Sequence, residues 1–340
     1  MGLISKKIDY NLNTGDCSST AERRPVEANV AGSNPVSHPK VRLGPRNALY
    51  FFIRICYTFG VMGSPEQQKI RFAEWNIQSG GFEGYNPTAK TPYHLTDIQE
   101  GVRQLNAAFV SLVDTYRWDT LYTNENLKHM FGFAHAFCIN LQDDRLKALG
   151  HNNGITVLSN LDVQKFETIR IETRNAAKTT LQINEKPLDI ISIYLDDVRE
   201  KTRLEQMKAL LQYVTPNRKT IILGDFNCIS DRDVKLIEKT MKSILQNSPR
   251  NVRTKLYSVQ EKLAHRGAIR FLETKGFIDA DKKGQPTTPT HKTSPMISPF
   301  LRIDYAFCTT DIVIASTRVV QGKLFDRTSD HFPLIVEIES

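Results

Sequence analysis

The sequence predicts an α/β fold in which β-sheets are covered by helices. Apolar runs of about five to eight residues recur along most of the chain, and each run is typical of a buried strand. Between them, a few longer segments repeat apolar residues at helical spacing. The chain has 340 residues and 40% hydrophobic content, which is ample for one large core.

The first predicted elements start at residue 70. The segment 70–77 (IRFAEWNI) is predicted as a strand, and a glycine-rich turn follows it. Ile98, Val102 and Leu105 are spaced as on one face of a helix, which predicts a helix over 96–107. Further strands are predicted over 108–113, 154–159, 166–173, 179–183 and 188–195.

The segment 220–230 (TIILGDFNCIS) is a β-branched apolar run that ends in Gly-Asp-Phe-Asn. Its start predicts a buried strand, and Gly224 lets the backbone turn where the strand meets solvent. Asp225 and Asn227 are two residues apart, so both side chains would lie on one face of an extended segment. A carboxylate beside an amide suits phosphate-ester hydrolysis, but a single Asp-x-Asn is more often an Asx turn without chemistry. Partner residues elsewhere must decide between these interpretations.

The remaining elements lie on both sides of a proline-rich loop. Residues 286–299 contain four prolines and are predicted as that loop. Helices are predicted over 201–213, 233–245 and 259–275, and strands over 302–308, 312–320 and 334–338.

Residues 1–61 differ in composition from the rest of the chain. Up to residue 47 they are rich in Asn, Ser, Pro, Gly and Arg and show no apolar period. The apolar stretch 48–62 has Arg54 at its middle and is shorter than the ~20 residues of a membrane span. We expect residues 1–61 to be a disordered extension, or to precede a translation start near Met62, and residues 62–340 to form a single domain. We expect no stable membrane association.

Charge and cysteine usage limit the class of protein. The formal net charge is +8, and residues 62–340 have a net charge of +4, which permits a polyanionic substrate without requiring one. The five cysteines are an odd number without a C-x-x-C pair, which favours a reduced, cytoplasmic compartment and gives no support for a zinc site. Nothing in the sequence specifies an oligomeric state, so a monomer is the default expectation.

Polar residues recur at the ends of predicted strands, where apolar runs stop, as expected if one edge of the fold carries a site. They are Asn76, Asp114, Tyr194, Asp225, Asn227, Asp304, Asp330 and His331. With their neighbours they form the motifs WNIQSG, VSLVD, GITVLSN, IISIYLDD, GDFN, RIDYAF and SDHFP.

These motifs, in this order, resemble the exonuclease/endonuclease/phosphatase superfamily, which includes pancreatic-type deoxyribonucleases and abasic-site endonucleases. The resemblance covers about residues 70–339. It implies a four-layer α/β (α+β) sandwich of two packed, mostly antiparallel β-sheets flanked by helices. It also implies a Mg²⁺-dependent site, with Mn²⁺ as a possible substitute.

The resemblance further implies a role for each site residue. The metal site would include Asn76 and Asp114, with Asp330 close by. Asp225 would orient or deprotonate the attacking water, and Asn227 would hold that water. Asp304 would orient His331, whose imidazolium would hydrogen-bond a phosphoryl oxygen as its charge grows.

Two positions affect which metal and which class of substrate the sequence predicts. Asp114 stands where the family usually has glutamate, and the shorter side chain puts the metal preference in question, because Mg²⁺ requires short bonds of ~2.0 to 2.1 Å. Tyr194 stands where deoxyribonuclease-like members have histidine and abasic-site endonucleases have tyrosine. A phenol can donate to a phosphate without titrating near neutral pH, although Tyr194 could instead be a structural residue at a strand end.

The sequence therefore predicts a metal-dependent phosphoesterase that cleaves P–O bonds by in-line attack of water, acting on DNA or RNA. A phosphatase or phospholipase of small phosphorylated molecules is the second interpretation, and a non-catalytic binding module is the third. A basic cluster between GDFN and RIDY is either a solvated helix face, which we favour, or a track for a phosphate backbone. It comprises Arg250, Arg253, Lys255, His265, Arg266 and Arg270.

Overall fold

The computed structural model of the protein describes residues 69–247, 257–294 and 297–340. The expectations for residues 1–61 lie outside these ranges. Within them the chain forms two six-stranded sheets. The strands are β1 Lys69–Asn76, β2 Phe109–Val113, β3 His135–Asn140, β4 Gly154–Ser159, β5 Asp162–Ile171, β6 Arg174–Ile183, β7 Lys186–Tyr194, β8 Lys219–Asp225, β9 Phe277–Asp279, β10 Asp304–Thr309, β11 Ile314–Val319 and β12 Leu334–Glu339.

The helices are mostly short and follow the strands that they cover. They are α1 Leu95–Leu105, α2 Trp118–Leu121, α3 Asn124–Phe131, α4 Asp144–Ala148, α5 Glu200–Leu211, α6 Val234–Asn247, α7 Tyr257–Ala264, α8 Gly267–Thr274 and α9 Lys323–Thr328. In the part of the chain that the structure describes, no helix is both long and apolar enough to cross a bilayer.

Each sheet is mixed, with a single parallel pair of strands among antiparallel ones. The first sheet has the order β11-β12-β1-β2-β4-β3, in which β1 and β2 are parallel. The second has the order β5-β6-β7-β8-β10-β9, in which β7 and β8 are parallel. The carboxyl ends of two neighbouring strands therefore meet at one edge of each sheet.

The core is arranged in layers. Phe72, Phe109 and Leu223 belong to the cluster packed between the two sheets. Trp75 and Ile98 belong to a second cluster, in which α1 covers the outer face of the first sheet. A third cluster covers the outer face of the second sheet with residues of α5 and α8. The predicted four-layer α/β sandwich with mostly antiparallel sheets is confirmed.

Several parts of the chain differ from the sequence prediction, which lacks strands β3 and β9 and the short helices α2, α3, α4 and α9. Strand β3 was not predicted, because its apolar residues do not alternate and only two of its six residues are buried. The predicted helix 259–275 is two helices, α7 and α8, separated by His265 and Arg266. The Glu200 carboxylate of α5 accepts the backbone N–H of Ala268 at 2.7 Å. A side chain distant in sequence therefore satisfies the first turn of α8, which no local pattern reveals.

The strands of the second sheet bring their site residues together at one edge, where Tyr194 and Asp225 end β7 and β8 and Asp304 begins the antiparallel β10. Tyr194 pairs with Asp225 across β7 and β8, and Asp225 pairs with Asp304 across β8 and β10. Gly224 has φ +149°, and a Cβ atom there would lie 2.0 Å from the Ile193 carbonyl oxygen. Only glycine fits this contact, so the GDFN motif begins with a residue that the sheet itself requires.

Candidate active site

Asp225 joins the two sheets at the centre of the site. It is the last residue of β8, and its Oδ2 atom accepts a hydrogen bond from Asn76 Nδ2 of β1 at 3.0 Å. Its Oδ1 atom accepts from the backbone N–H of Asn227 at 2.8 Å. All three residues are buried. The Asp225 side chain is therefore held in one orientation from both sides.

His331 is paired with Asp304 in the same buried region. Nδ1 of His331 lies 2.8 Å from Oδ2 of Asp304, the first residue of β10. The backbone of His331 is fastened to β1, because its carbonyl accepts from Trp75 Nε1 at 3.0 Å. Its N–H donates to Ser329 Oγ at 3.1 Å, and that hydroxyl donates to the Asn76 carbonyl at 2.6 Å. The SDH motif is thus anchored to the WN motif.

Asp225, Asp304 and His331 form one cluster. A ligand atom from each lies within 4.8 Å of those of the other two, as in a site able to hold a metal ion. Among the described residues, Asp304 Oδ1 is buried without a hydrogen-bond partner. A cation is one group that satisfies an unpaired buried carboxylate oxygen, and hard oxygen donors are those that Mg²⁺ and Mn²⁺ prefer. The buried carboxylates of this cluster therefore favour a divalent cation nearby.

The close carboxylates and the imidazole alter one another's protonation. Burial, with Asp304 as the nearest like charge, raises the pKa of Asp225 to about 6. Burial lowers the pKa of His331, but Asp304, Asp330 and Asp225 together raise it well above 6.5. His331 therefore carries its proton at neutral pH and can donate from its ring to an anionic group.

Asp114 and Asp330 lie near this cluster without belonging to it. Asp114 has φ +59°, and its carboxylate accepts from Ser79 N at 2.7 Å and from Asn153 Nδ2. Burial, and the charges of Asp330 and Asp225, raise the pKa of Asp114 to about 7. The carbonyl of Asp330 accepts from Thr288 Oγ1 at 2.8 Å. Of the predicted metal ligands, Asn76 thus contacts the cluster through Asp225, and Asp114 and Asp330 interact with it electrostatically.

Tyr194 occupies the end of β7 beside Asp225. The Arg174 guanidinium lies 5.1 Å from the centre of its ring. Burial, and the charges of Asp114 and Asp225, raise the pKa of Tyr194 well above 10. The phenol therefore keeps its proton, which a hydrogen-bond donor requires.

Two buried charged residues at the site were missed by sequence reasoning. Glu74 lies two residues before Asn76, so β1 directs both side chains to the same face, between the sheets. Neither of its carboxylate oxygens has a hydrogen-bond partner among the described residues. Burial, with Asp304 and Asp225 nearby, raises the pKa of Glu74 well above 4.5. The sequence signal that could have found Glu74 is a charged residue at a strand position that faces the core.

The second missed residue is Lys262 of α7. Its Nζ atom donates to the side-chain oxygen of Asn227 at 3.1 Å, although Lys262 is distant from Asn227 in sequence. Burial lowers the pKa of Lys262, and the charge of Asp225 opposes this effect. No sequence signal distinguishes it from the exposed lysines of other helices.

Three members of the predicted basic cluster are described: His265 is exposed, and Arg266 and Arg270 share one carboxylate. Arg266 and Arg270 both pair with Asp231. Arg250, Arg253 and Lys255 lie outside the described residues. The paired arginines favour the interpretation of this segment as a solvated helix face.

Comparison with known proteins agrees with the fold and the motifs. A model of the endonuclease/exonuclease/phosphatase family matches residues 73–331, so the chain belongs to this family. A search of curated proteins finds no match.

Many solved structures share the fold at low sequence identity. A family member from Beutenbergia cavernae is 15% identical with a TM-score of 0.57, and the match covers 80% of this chain and 71% of that one. An AP endonuclease from Archaeoglobus fulgidus is 13% identical with a TM-score of 0.56, covering 80% and 100%. A 3′ phosphatase from Neisseria, bound to a product DNA hairpin, is 15% identical with a TM-score of 0.56 and the same coverage.

Proposed function

We propose that the protein is a divalent-metal-dependent phosphoesterase that hydrolyses phosphodiester bonds of DNA or RNA by in-line attack of water. The observation that carries this proposal is the buried cluster of Asp225, Asp304 and His331, whose ligand atoms lie within 4.8 Å of one another. In this cluster, Asp225 can accept a proton from water, and the cationic His331 can donate a hydrogen bond to a phosphate oxygen. Membership of a phosphoesterase family supports hydrolysis as the reaction class.

Each residue of the cluster has a distinct task in the proposal. Asp225, fixed by Asn76 and by the Asn227 backbone, orients the attacking water and accepts its proton. Asp304 keeps His331 protonated and oriented through the 2.8 Å contact at Nδ1. The opposite ring nitrogen of His331 then donates to a non-bridging phosphoryl oxygen, where negative charge grows. Tyr194 donates a hydrogen bond from its phenolic O–H to the same phosphate.

Asn76, Asp114 and Asp330 are proposed to hold the cation, Mg²⁺ or Mn²⁺. When bound, the cation would neutralise charge on the phosphate oxygens. Asn76 also orients Asp225, so one amide serves both the cation and the water-activating carboxylate. Asp114 already accepts bonds from Ser79 and Asn153, which fixes its carboxylate in place.

Nucleic acid is the favoured substrate class. Structural neighbours include an AP endonuclease and a 3′ phosphatase bound to DNA, and Tyr194 is the residue type that abasic-site endonucleases carry there. The phosphatase neighbour also supports the second candidate, a phosphatase of small phosphorylated molecules. Free Cys138, Cys228 and Cys308 support a reducing, cytoplasmic compartment.

One substrate panel tests this proposal. Plasmid DNA, an abasic-site duplex, single-stranded RNA and bis(p-nitrophenyl) phosphate are each incubated with Mg²⁺, Mn²⁺ or EDTA. We expect metal-dependent cleavage of at least one nucleic acid, and no cleavage in EDTA. His331→Ala should abolish most of it. His291→Ala is the matched control, because His291 makes a 2.8 Å contact with Asp326 at the surface. Cleavage that persists in His331→Ala, or in EDTA, would refute the proposal.

A further inference from the structure

We propose that Lys262 is a positioning residue that fixes the side-chain amide of Asn227, so that Asn227 meets the substrate as a hydrogen-bond donor. This inference rests on the proposed function and changes the role that the sequence predicts for the Asn227 side chain. The sequence predicted that Asn227 holds the attacking water. The contacts of Lys262 instead favour an amide whose N–H group is directed to a phosphate oxygen.

Lys262 is buried, with 6% of its surface exposed, and its ammonium group is fully satisfied. Nζ donates to the Asn227 carbonyl at 2.6 Å, to Asn227 Oδ1 at 3.1 Å and to the Asp197 carbonyl at 3.2 Å. An ammonium has three donors and no lone pair, so each N–H faces one oxygen. A neutral amine would direct a lone pair at one of these oxygens. The arrangement therefore requires the charged form of Lys262.

The Asn227 amide can adopt only one of its two orientations in these surroundings. An ammonium donates and never accepts, so the atom facing Lys262 must be the amide oxygen. On the other side, Asn227 Nδ2 donates to the Leu195 carbonyl at 3.2 Å. Turning the amide by half a rotation would place N–H against the ammonium and oxygen against the carbonyl. Both contacts would then be repulsive.

The fixed orientation decides what Asn227 can offer to a substrate. Its oxygen is engaged with a cation, while the second N–H of Nδ2 has no recorded partner among the described residues. A cation at the amide oxygen polarises the group and strengthens its N–H as a donor. A donor of this kind stabilises the charge that develops on a phosphate oxygen.

Lys262 also holds the backbone on which this amide stands. Asn227 has φ +52°, in the left-handed region, and its N–H bonds to Asp225 Oδ1 at 2.8 Å. The Lys262 bond to the Asn227 carbonyl secures the next peptide group. Lys262 of α7 therefore positions both the backbone and the side chain of Asn227.

The kinetic test is a double-mutant cycle on bis(p-nitrophenyl) phosphate with Mn²⁺. Lys262→Met, Asn227→Ala and the double variant are compared with Lys208→Met, which removes a half-exposed lysine of α5. We expect Lys262→Met to lower kcat at least ~10-fold with little change in KM, and to cost much less in the Asn227→Ala background, where only its backbone contacts remain to be lost. Equal losses from Lys262→Met in both backgrounds would overturn the proposal. If Lys262→Met does not melt cooperatively, Lys262→Gln replaces it in the same cycle.

A spectroscopic test stands apart from catalysis. In protein labelled with ¹⁵N-asparagine, the Asn227 side-chain signals are identified by their loss in Asn227→Ala. They should move in Lys262→Met and stay in place in Lys208→Met. Signals unmoved in Lys262→Met would overturn the inference even for an active enzyme. If the wild type cleaves nothing, the proposed function fails, while this measurement still decides whether Lys262 fixes the amide.

Discussion

Nδ1 of His331 and Oδ2 of Asp304 lie 2.8 Å apart, although 27 residues separate them in the chain. His331→Ala should therefore lower kcat ~10²- to 10³-fold, as expected for removing one preorganised donor, with a smaller effect on KM. Because Asp304 acts through His331, Asp304→Ala/His331→Ala should be little worse than His331→Ala alone. Steady-state kinetics on the best substrate of the panel measures both effects. A folded His331→Ala that keeps more than about a tenth of the wild-type kcat would contradict the mechanism.

The carboxylate of Asp225 is expected to be as important as His331. Asp225→Asn keeps the size of the side chain but removes the group that accepts the proton of water, so kcat should fall at least ~10²-fold. Asp231→Asn serves as the control, since Asp231 pairs with Arg266 and Arg270 at the surface. If Asp225→Asn and Asp231→Asn have equal kcat values, Asp225 takes no part in the chemical step.

The metal role proposed for Asp114 can be tested by titration. Asp114→Glu restores the residue that the family usually carries, and we expect it to retain activity and to require no more Mg²⁺ for half-maximal rate. Asp114→Ala removes the carboxylate and leaves the Ser79 N–H without its partner, so it should require more Mg²⁺. Rates measured across Mg²⁺ and Mn²⁺ concentrations give both values. Wild-type titration curves in both variants would mean that Asp114 does not hold the metal.

The raised pKa of Glu74 predicts how the stability of the fold depends on pH. Its pKa is raised well above 4.5, so the folded chain keeps this proton where the unfolded chain has lost it. The stabilising contribution is complete below about pH 4.5 and is lost as pH rises through the folded-state pKa. Glu74→Gln removes this loss. The Tm of Glu74→Gln minus the Tm of the wild type should therefore increase as the pH is raised from 5 to 8.

The control for this measurement is Glu205→Gln, a change at a half-exposed position of α5. Its Tm difference from the wild type should stay nearly constant over the same pH range. A difference for Glu74→Gln that is equally constant would show that Glu74 does not retain its proton in the folded chain.

Sequence patterns predicted most of the fold, because most strands are continuous buried runs and several end at a polar site residue. They failed where the cause lies in tertiary structure. The predicted helix 259–275 is interrupted, and the distant Glu200 carboxylate accepts the N–H of Ala268 in the first turn of its second part. Glu74 and Lys262 act through burial and through contacts with residues distant in sequence, which periodicity does not encode. The motif residues could be predicted from the sequence because each stands at one end of an apolar run.

The pairing of β1 with β12 has a consequence for synthesis of the chain. Residues 69–74 pair with residues 334–339, and the carbonyl of His331 is fixed by Trp75 of β1. During synthesis, β1 emerges long before its partner β12, so the first sheet lacks an internal strand until residues 334–339 have been made. Because Trp75 of β1 also holds the carbonyl of His331, completion of the first sheet and placement of the SDH motif depend on the same strand.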